Sequence, residues 1–173
     1  MASCWREKLL AAKGQARTLS LDLHAQWAGL EADGQFRFTP PTHALLAFEQ
    51  ALDELDAEGG AAGRAARYRA NYRALVTGAD EIGLEAWLAP EDRSYIITTF
   101  RYPADPRFSF EQFYQQLSDL GFIIYPGKLT TEPCFRIGNI GHLHPEDILA
   151  LFEAMKRVLA GMGAEQTAPG VIG

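Results

Sequence analysis

Cysteine is scarce in this chain, and so are the patterns that would give it an immediate chemistry. The two cysteines, Cys4 and Cys134, stand far apart, without the spacing of a metal knuckle, a CxxC redox pair or a disulfide framework, and a reducing cytoplasm is the expected setting. There is no HExxH run, and no GxSxG turn to lift a serine out for a hydrolytic triad. Long apolar runs are missing as well. Arg6, Glu7 and Lys8 follow closely on the first residue, so the N-terminus reads as neither a secretory signal nor a membrane span. Positive charge is in deficit: 16 Lys and Arg face 22 Asp and Glu, for a net charge of -6. That balance argues against nucleic acid or an anionic membrane as partner. The one concentration of cations, Arg64, Arg67, Arg69 and Arg73, spreads around a helix as a solvated face does. Among the histidines, His142 and His144 alone are close in sequence. They flank a helix start, where capping or surface roles are commoner than metal ligation.

What is present suits a folded protein. With 173 residues, 47% hydrophobic and 22% charged, the chain is long enough for one globular domain with a core, or one domain and a long arm. The first half reads as helical. A short helix is expected over 7–13, ended by Gly14. Leu23, Trp27 and Leu30 recur at i, i+4 and i+7, and residues 19–23, ambiguous between strand and helix, are expected to join that helix because the period continues. Two prolines, Pro40 and Pro41, mark a helix start, with Thr39 or Thr42 as its cap. That helix is expected to run to about Glu58 and close at Gly59 and Gly60. A further helix covers 62–82, its end left open by Gly78 and Gly83.

From residue 84 the pattern changes. Strands are expected at 84–88 and 95–102 around a turn at 90–94. Ser109 with Gln112 has capping-box spacing, and Phe108 with Phe113 can staple it, so a helix starts there and ends at Gly121. A strand over 122–125, a turn at Pro126 and Gly127, a loop over 128–133 and a strand from Cys134 follow. His144 and Pro145 open the last helix, which buries Ile148, Leu151, Phe152, Met155 and Leu159. The tail beyond Gly161 is expected to be disordered. The expected fold class is α/β: an α+β small domain over 84–160, a mostly antiparallel sheet with helices on one face, preceded by a long helical arm. The division is 1–38, a helical edge; 39–83, a two-helix connector; 84–160, the small domain; and 161–173, the tail.

Two residues stand out for chemistry. Arg136 lies in a β pattern with Gly138 and Gly141 close behind. A guanidinium there points at water, at a carboxylate or at a ligand, and the ordinary reading is a solvated or paired strand arginine. Thr39 precedes a helix N-terminus, where free N–H groups and the dipole suit a phosphate; plain capping is the ordinary reading.

Five runs, SLDL at 20–23, RFTPPTH at 37–43, IITTF at 96–100, GFIIYPGK at 121–128 and FRIGNIG at 135–141, resemble in order the C-terminal half of the 2-aminoethylphosphonate–pyruvate aminotransferase family. These are pyridoxal-phosphate enzymes of fold-type I, class V. The resemblance covers roughly residues 6–160. It implies that Arg136 is substrate-binding, holding the carboxylate or phosphonate of the substrate, and that Thr39 is cofactor-binding, touching the phosphate of a pyridoxal 5'-phosphate held by the neighbouring subunit of a homodimer.

It also implies a departure. The family's Schiff-base lysine, the aspartate paired with the pyridine nitrogen and most of the phosphate cup belong to a large domain before the point where this chain starts. Lys8, Lys13, Lys128 and Lys156 do not match that lysine's motif. The expectation is a chain with no catalytic residue of its own, inactive alone, from a split or truncated gene. Its partners would be a lysine-bearing N-terminal polypeptide or a full-length subunit, with an amino acid or aminophosphonate and pyruvate as small molecules. The alternatives are a non-catalytic interaction or dimerisation fragment, a gene remnant, or the same piece of an alanine– or serine–glyoxylate aminotransferase.

Overall fold

Local capping decides where the helices of the first half begin. The computed structural model describes residues 4–127 and 132–164, and its internal contacts divide the chain into Met1–Glu54 and Leu55–Gly173. The first unit holds α1 (Arg6–Ala11), α2 (Leu23–Asp33) and most of α3 (Thr42–Ala57). The Asp22 carboxylate accepts from the Ala25 amide at 2.9 Å and sets the start of α2. Residues 19–22 are therefore turn and cap rather than the helix expected from the period: satisfying an orphan N–H outweighs extending an apolar stripe. The expected cap of α3 is also corrected. Its first turn closes from the Leu45 amide to the Pro41 carbonyl at 3.1 Å, while the Thr42 amide donates to the Pro40 carbonyl at 2.8 Å. Thr42 is the first helical residue and Thr39 stands outside the helix, because Pro41, with its fixed φ, takes the position before the first turn. None of α1, α2 or α3 has a buried residue.

Gly59 and Gly60, with φ of +95° and +69°, turn the chain from α3 into α4 (Gly60–Glu81). Then come β1 (Ile97–Arg101), α5 (Phe110–Asp119), β2 (Tyr125–Pro126), β3 (Cys134–Gly138) and α6 (Pro145–Met162). The sheet is antiparallel in the order β1-β3-β2, so the arginine strand is central. The expected strand at 84–88 reduces to one bridge, Ala86 to Phe100, flanked by bonds from Trp87 N to Thr99 O and from Arg101 N to Glu85 O. A 3-10 turn at Pro90–Asp92 ends it. The strand at 122–125 shortens because the Phe122 amide is spent on the Leu117 carbonyl, at the end of α5. Lys128 and most of the loop expected after it, like the tail from 165, lie outside the described residues.

The period-2 pattern of β1 and β3 sends Thr98, Phe100, Phe135 and Ile137 to one face, all nearly inaccessible, where α4, α5 and α6 complete the core with Leu75, Phe113, Leu117, Phe152 and Met155. The helix starts expected for α5 and α6 hold. Ser109 Oγ accepts from the Gln112 amide, with the Phe108 and Phe113 rings 5.4 Å apart, and the His144 amide donates to Asp147 Oδ2 at 2.8 Å. Gly78 does not end α4. A Cβ there would stand 2.4 Å from Phe152 Cδ2, so this glycine lets α4 and α6 approach.

Candidate functional site

Arg136 sits in the middle of the central strand, with Thr99 of β1 and Tyr125 of β2 as its cross-strand partners. Its neighbours Phe135 and Ile137 enter the core, so the strand's alternation turns Arg136 to the face that the helices leave open. There it lines a groove of about 460 Å³ with Ile96, Ile97, Ile123, Tyr125, Gly138, Ile140 and Leu143. The wall is apolar apart from the arginine and the tyrosine, a setting in which a charge interacts strongly with whatever reaches it.

Several other cations of this unit are held by carboxylates. Arg101 contacts Glu85 and Glu132, Arg107 holds Asp105, Arg64 and Arg67 share Glu58, and Lys156 binds Glu81 and Glu153. Arg136 has no such partner among the described residues, and its Nε is buried without a hydrogen bond. A buried donor on a charged group is costly to leave unmade. The salt-bridged reading of this arginine thus finds no support in the geometry, and the group is free to take an acceptor-rich anion, which a guanidinium binds in a fork.

The two glycines after Arg136 differ in their reasons. Gly141 has φ of +91°, which favours glycine. At Gly138 a Cβ would come within 3.9 Å of Tyr125 Cε2, an ordinary contact; the fold does not need a glycine there, but the groove it lines is kept open by one.

Behind the groove, α4 grips the segment that follows the arginine. Arg67 donates to the carbonyls of Gly141 at 2.7 Å and Leu143 at 2.9 Å, Asn71 Nδ2 donates to Leu143 O at 2.8 Å, and the Gly141 amide donates to the Tyr68 hydroxyl at 3.3 Å. Hydrogen bonds from Arg67 and then Arg64 hold the Glu58 carboxyl down at about 2, and the carboxylate in turn pushes Arg67 up. The arginines of α4 are therefore not the plain solvated face expected of them: Arg64 and Arg67 are tied to Glu58, and Arg69 lies 5.0 Å from the Tyr95 ring centroid. Sequence reasoning missed Asn71 and Asn139, both fully buried; the signal for the second was its place inside the FRIGNIG run.

Thr39 belongs to the other unit. It is exposed and makes no side-chain hydrogen bond among the described residues. The same run is anchored through Arg37, whose amide donates to Gln26 Oε1 at 3.2 Å and whose guanidinium donates to the Leu19 carbonyl at 3.3 Å. A free hydroxyl just ahead of the first-turn amides of α3 is a set of donors and no acceptor charge, chemically suited to a phosphate. Among the described residues no three of His, Cys, Asp and Glu gather as a metal set; His142 and His144 meet edge to face at 5.1 Å. No helix among the described residues is long and apolar enough to cross a membrane.

No family model matches the chain. It is 50% identical over 157 residues to a 2-aminoethylphosphonate–pyruvate transaminase of Salmonella agona, a match that takes in 90% of this chain and 43% of the relative. A relative of the same name from Salmonella paratyphi B is 50% identical over 154 residues, 88% of this chain and 42% of that protein. The chain thus spans about two-fifths of the length of the curated relatives it matches. Among solved structures, a ureidoglycine–glyoxylate aminotransferase of Bacillus subtilis superimposes with a TM-score of 0.74 at 20% identity, over 91% of this chain and 41% of that one. A pyridoxamine–pyruvate aminotransferase of Mesorhizobium loti gives 0.74 at 22% identity, over 93% and 42%. The fold is that of part of these solved aminotransferases, and the sequence corresponds to a C-terminal portion of the 2-aminoethylphosphonate–pyruvate transaminases.

Proposed function

We propose that this chain, matching a C-terminal portion of the 2-aminoethylphosphonate–pyruvate transaminases, supplies the acid grip of an enzyme that passes the amino group of 2-aminoethylphosphonate to pyruvate, giving phosphonoacetaldehyde and alanine. The observation that carries the reading is the unpaired Arg136 guanidinium, its Nε buried without an acceptor, in an otherwise apolar groove. A phosphonate or carboxylate completes that group's hydrogen bonds.

Arg136 anchors the acid end of the donor, and of the acceptor in turn, so that the opposite end of either small molecule points out of the groove. Ile96, Ile123 and Ile140 flank the anchored group with apolar surface. Thr39 and the first turn of α3 fit the phosphate of pyridoxal 5'-phosphate, contributed in this reading across the interface of a dimer. When bound, that cofactor carries the amino group between donor and acceptor. Lys156 is held by Glu81 and Glu153, which raise its pKa, so it is a poor candidate for the amine that links to the cofactor. In this reading a lysine-bearing polypeptide or full-length subunit supplies that amine.

The test mixes the full chain with a folded polypeptide bearing that lysine, adds pyridoxal phosphate, 2-aminoethylphosphonate and pyruvate, and measures alanine. Alanine should form in the mixture and in neither component alone. Arg136→Ala should raise the KM for the donor about 10- to 100-fold, the loss of a charge-assisted contact of about 1.5–3 kcal/mol. Running the mixture with alanine or serine and glyoxylate sets the donor class, since one guanidinium accepts either acid. No turnover in any such mixture, with both pieces folded, sinks the proposal.

A further inference from the structure

The groove around Arg136 has walls from two separate segments, Ile96 and Ile97 ahead of and within β1, and Ile140 and Leu143 beyond β3. The β1–β3 ladder does not reach Ile96, Ile140 or Leu143, because the paired register stops at Ile97 and Gly138. One side chain reaches both. Asn139, with no accessible surface, donates through Nδ2 to the carbonyl of Tyr95 at 3.1 Å and of Tyr68 at 3.3 Å, and its own amide donates to the Ile96 carbonyl at 3.0 Å. Asn71, equally buried, donates to the carbonyls of Asn139 at 3.4 Å and Leu143 at 2.8 Å. The two amides thus tie the entry to β1, the exit from β3 and helix α4 at one buried point behind the arginine.

We propose that Asn139, seconded by Asn71, is a positioning residue that holds the two walls of the Arg136 groove at a fixed separation. This rests on the reading of Arg136 as the acid grip. Two buried carboxamides are an expensive way to fill space, since an apolar residue would pack there without polar groups to satisfy. Their use follows from the geometry: the carbonyls of Tyr95, Asn139 and Leu143 lie in irregular backbone beyond the strand ends, where a released carbonyl would let Ile96 and Ile140 drift, and that of Tyr68 belongs to α4, which anchors the pair. A groove that keeps its shape before the ligand arrives loses less on binding.

The experiment compares the full chain with Asn139→Ala and Asn71→Ala, and with Phe113→Leu as a change in the core that touches neither wall. Hydrogen exchange is read residue by residue, and binding of 2-aminoethylphosphonate is read by titration. Either asparagine variant should speed exchange at the amides of residues 139 and 141 at least about tenfold while the β1–β3 ladder and α6 keep their protection, and should weaken 2-aminoethylphosphonate binding about tenfold or more. Phe113→Leu should lower protection throughout and leave affinity unchanged in the folded fraction. Unchanged exchange at 139 and 141, or an even loss across the unit in both asparagine variants, overturns the positioning role. If the unaltered chain fails to bind 2-aminoethylphosphonate, the reading of Arg136 fails instead, and the exchange comparison still decides whether Asn139 fixes the walls.

Discussion

The two units of this chain are built from similar apolar helices and use them differently. In Met1–Glu54 no helix has a buried residue: Leu45, Leu46, Phe48 and Leu52 of α3 all remain exposed. In Leu55–Gly173 the helices α4, α5 and α6 sink Leu75, Phe113, Leu117, Phe152 and Met155 into one core against the sheet. An amphipathic period states that a face wants covering; it does not state whether the chain itself supplies the cover. The second unit carries its own cover, and the unpaired Arg136 is on the face of the sheet that cover leaves open.

Substitutions can break or sharpen this contrast. The largest effect should come from Phe152→Ala, which empties a fully buried ring site and should cost about 3–5 kcal/mol in urea unfolding followed by circular dichroism. Gly78→Ala should come next, at about 1–3 kcal/mol, because the new methyl collides with that same ring. A smaller effect belongs to Glu58, whose carboxylate is reached by solvent. Its folded-state value is depressed from 4.5 to about 2, so the native state keeps the charge after the unfolded chain has bound a proton. The stabilisation is therefore complete above about 4.5 and is lost as pH falls towards about 2. Glu58→Gln should flatten the fall in stability across that window relative to the unaltered chain. The smallest effect should be that of Phe48→Ala, within about 0.5 kcal/mol for the chain by itself. A loss comparable to that of Phe152→Ala would mean that α3 is covered after all, and the contrast would fail.

What could be read from the sequence follows the range of the interaction that decides it. The starts of α5 and α6 were legible because Ser109 and Asp147 satisfy amides within three residues of themselves. Arg136 was legible as a charge in a β pattern, and FRIGNIG and YPGK placed it in a family, although Lys128 falls outside the described residues. Two starts in the first unit were misplaced. Consecutive prolines offered two registers for the cap before α3, and the Asp22 cap overrode a period that pointed to an earlier beginning. Gly78 left the end of α4 open because a glycine in a helix costs stability; its reason is a phenylalanine on another helix, far along the chain. Asn71 and Asn139 were hidden for the same cause, since their side-chain bonds join positions 44 or more residues apart.

Gly127 makes its own close approach: a Cβ there would fall 2.1 Å from Cys134 Sγ, so the sulfur is roofed by backbone. Each unit therefore carries one free thiol in opposite circumstances, Cys4 exposed and Cys134 buried. The chain contains its own stopwatch. A thiol reagent should label Cys4 at once, and Cys134 at the pace at which the end of the arginine strand lifts, so that the lag between two labels on one molecule times the opening of the strand.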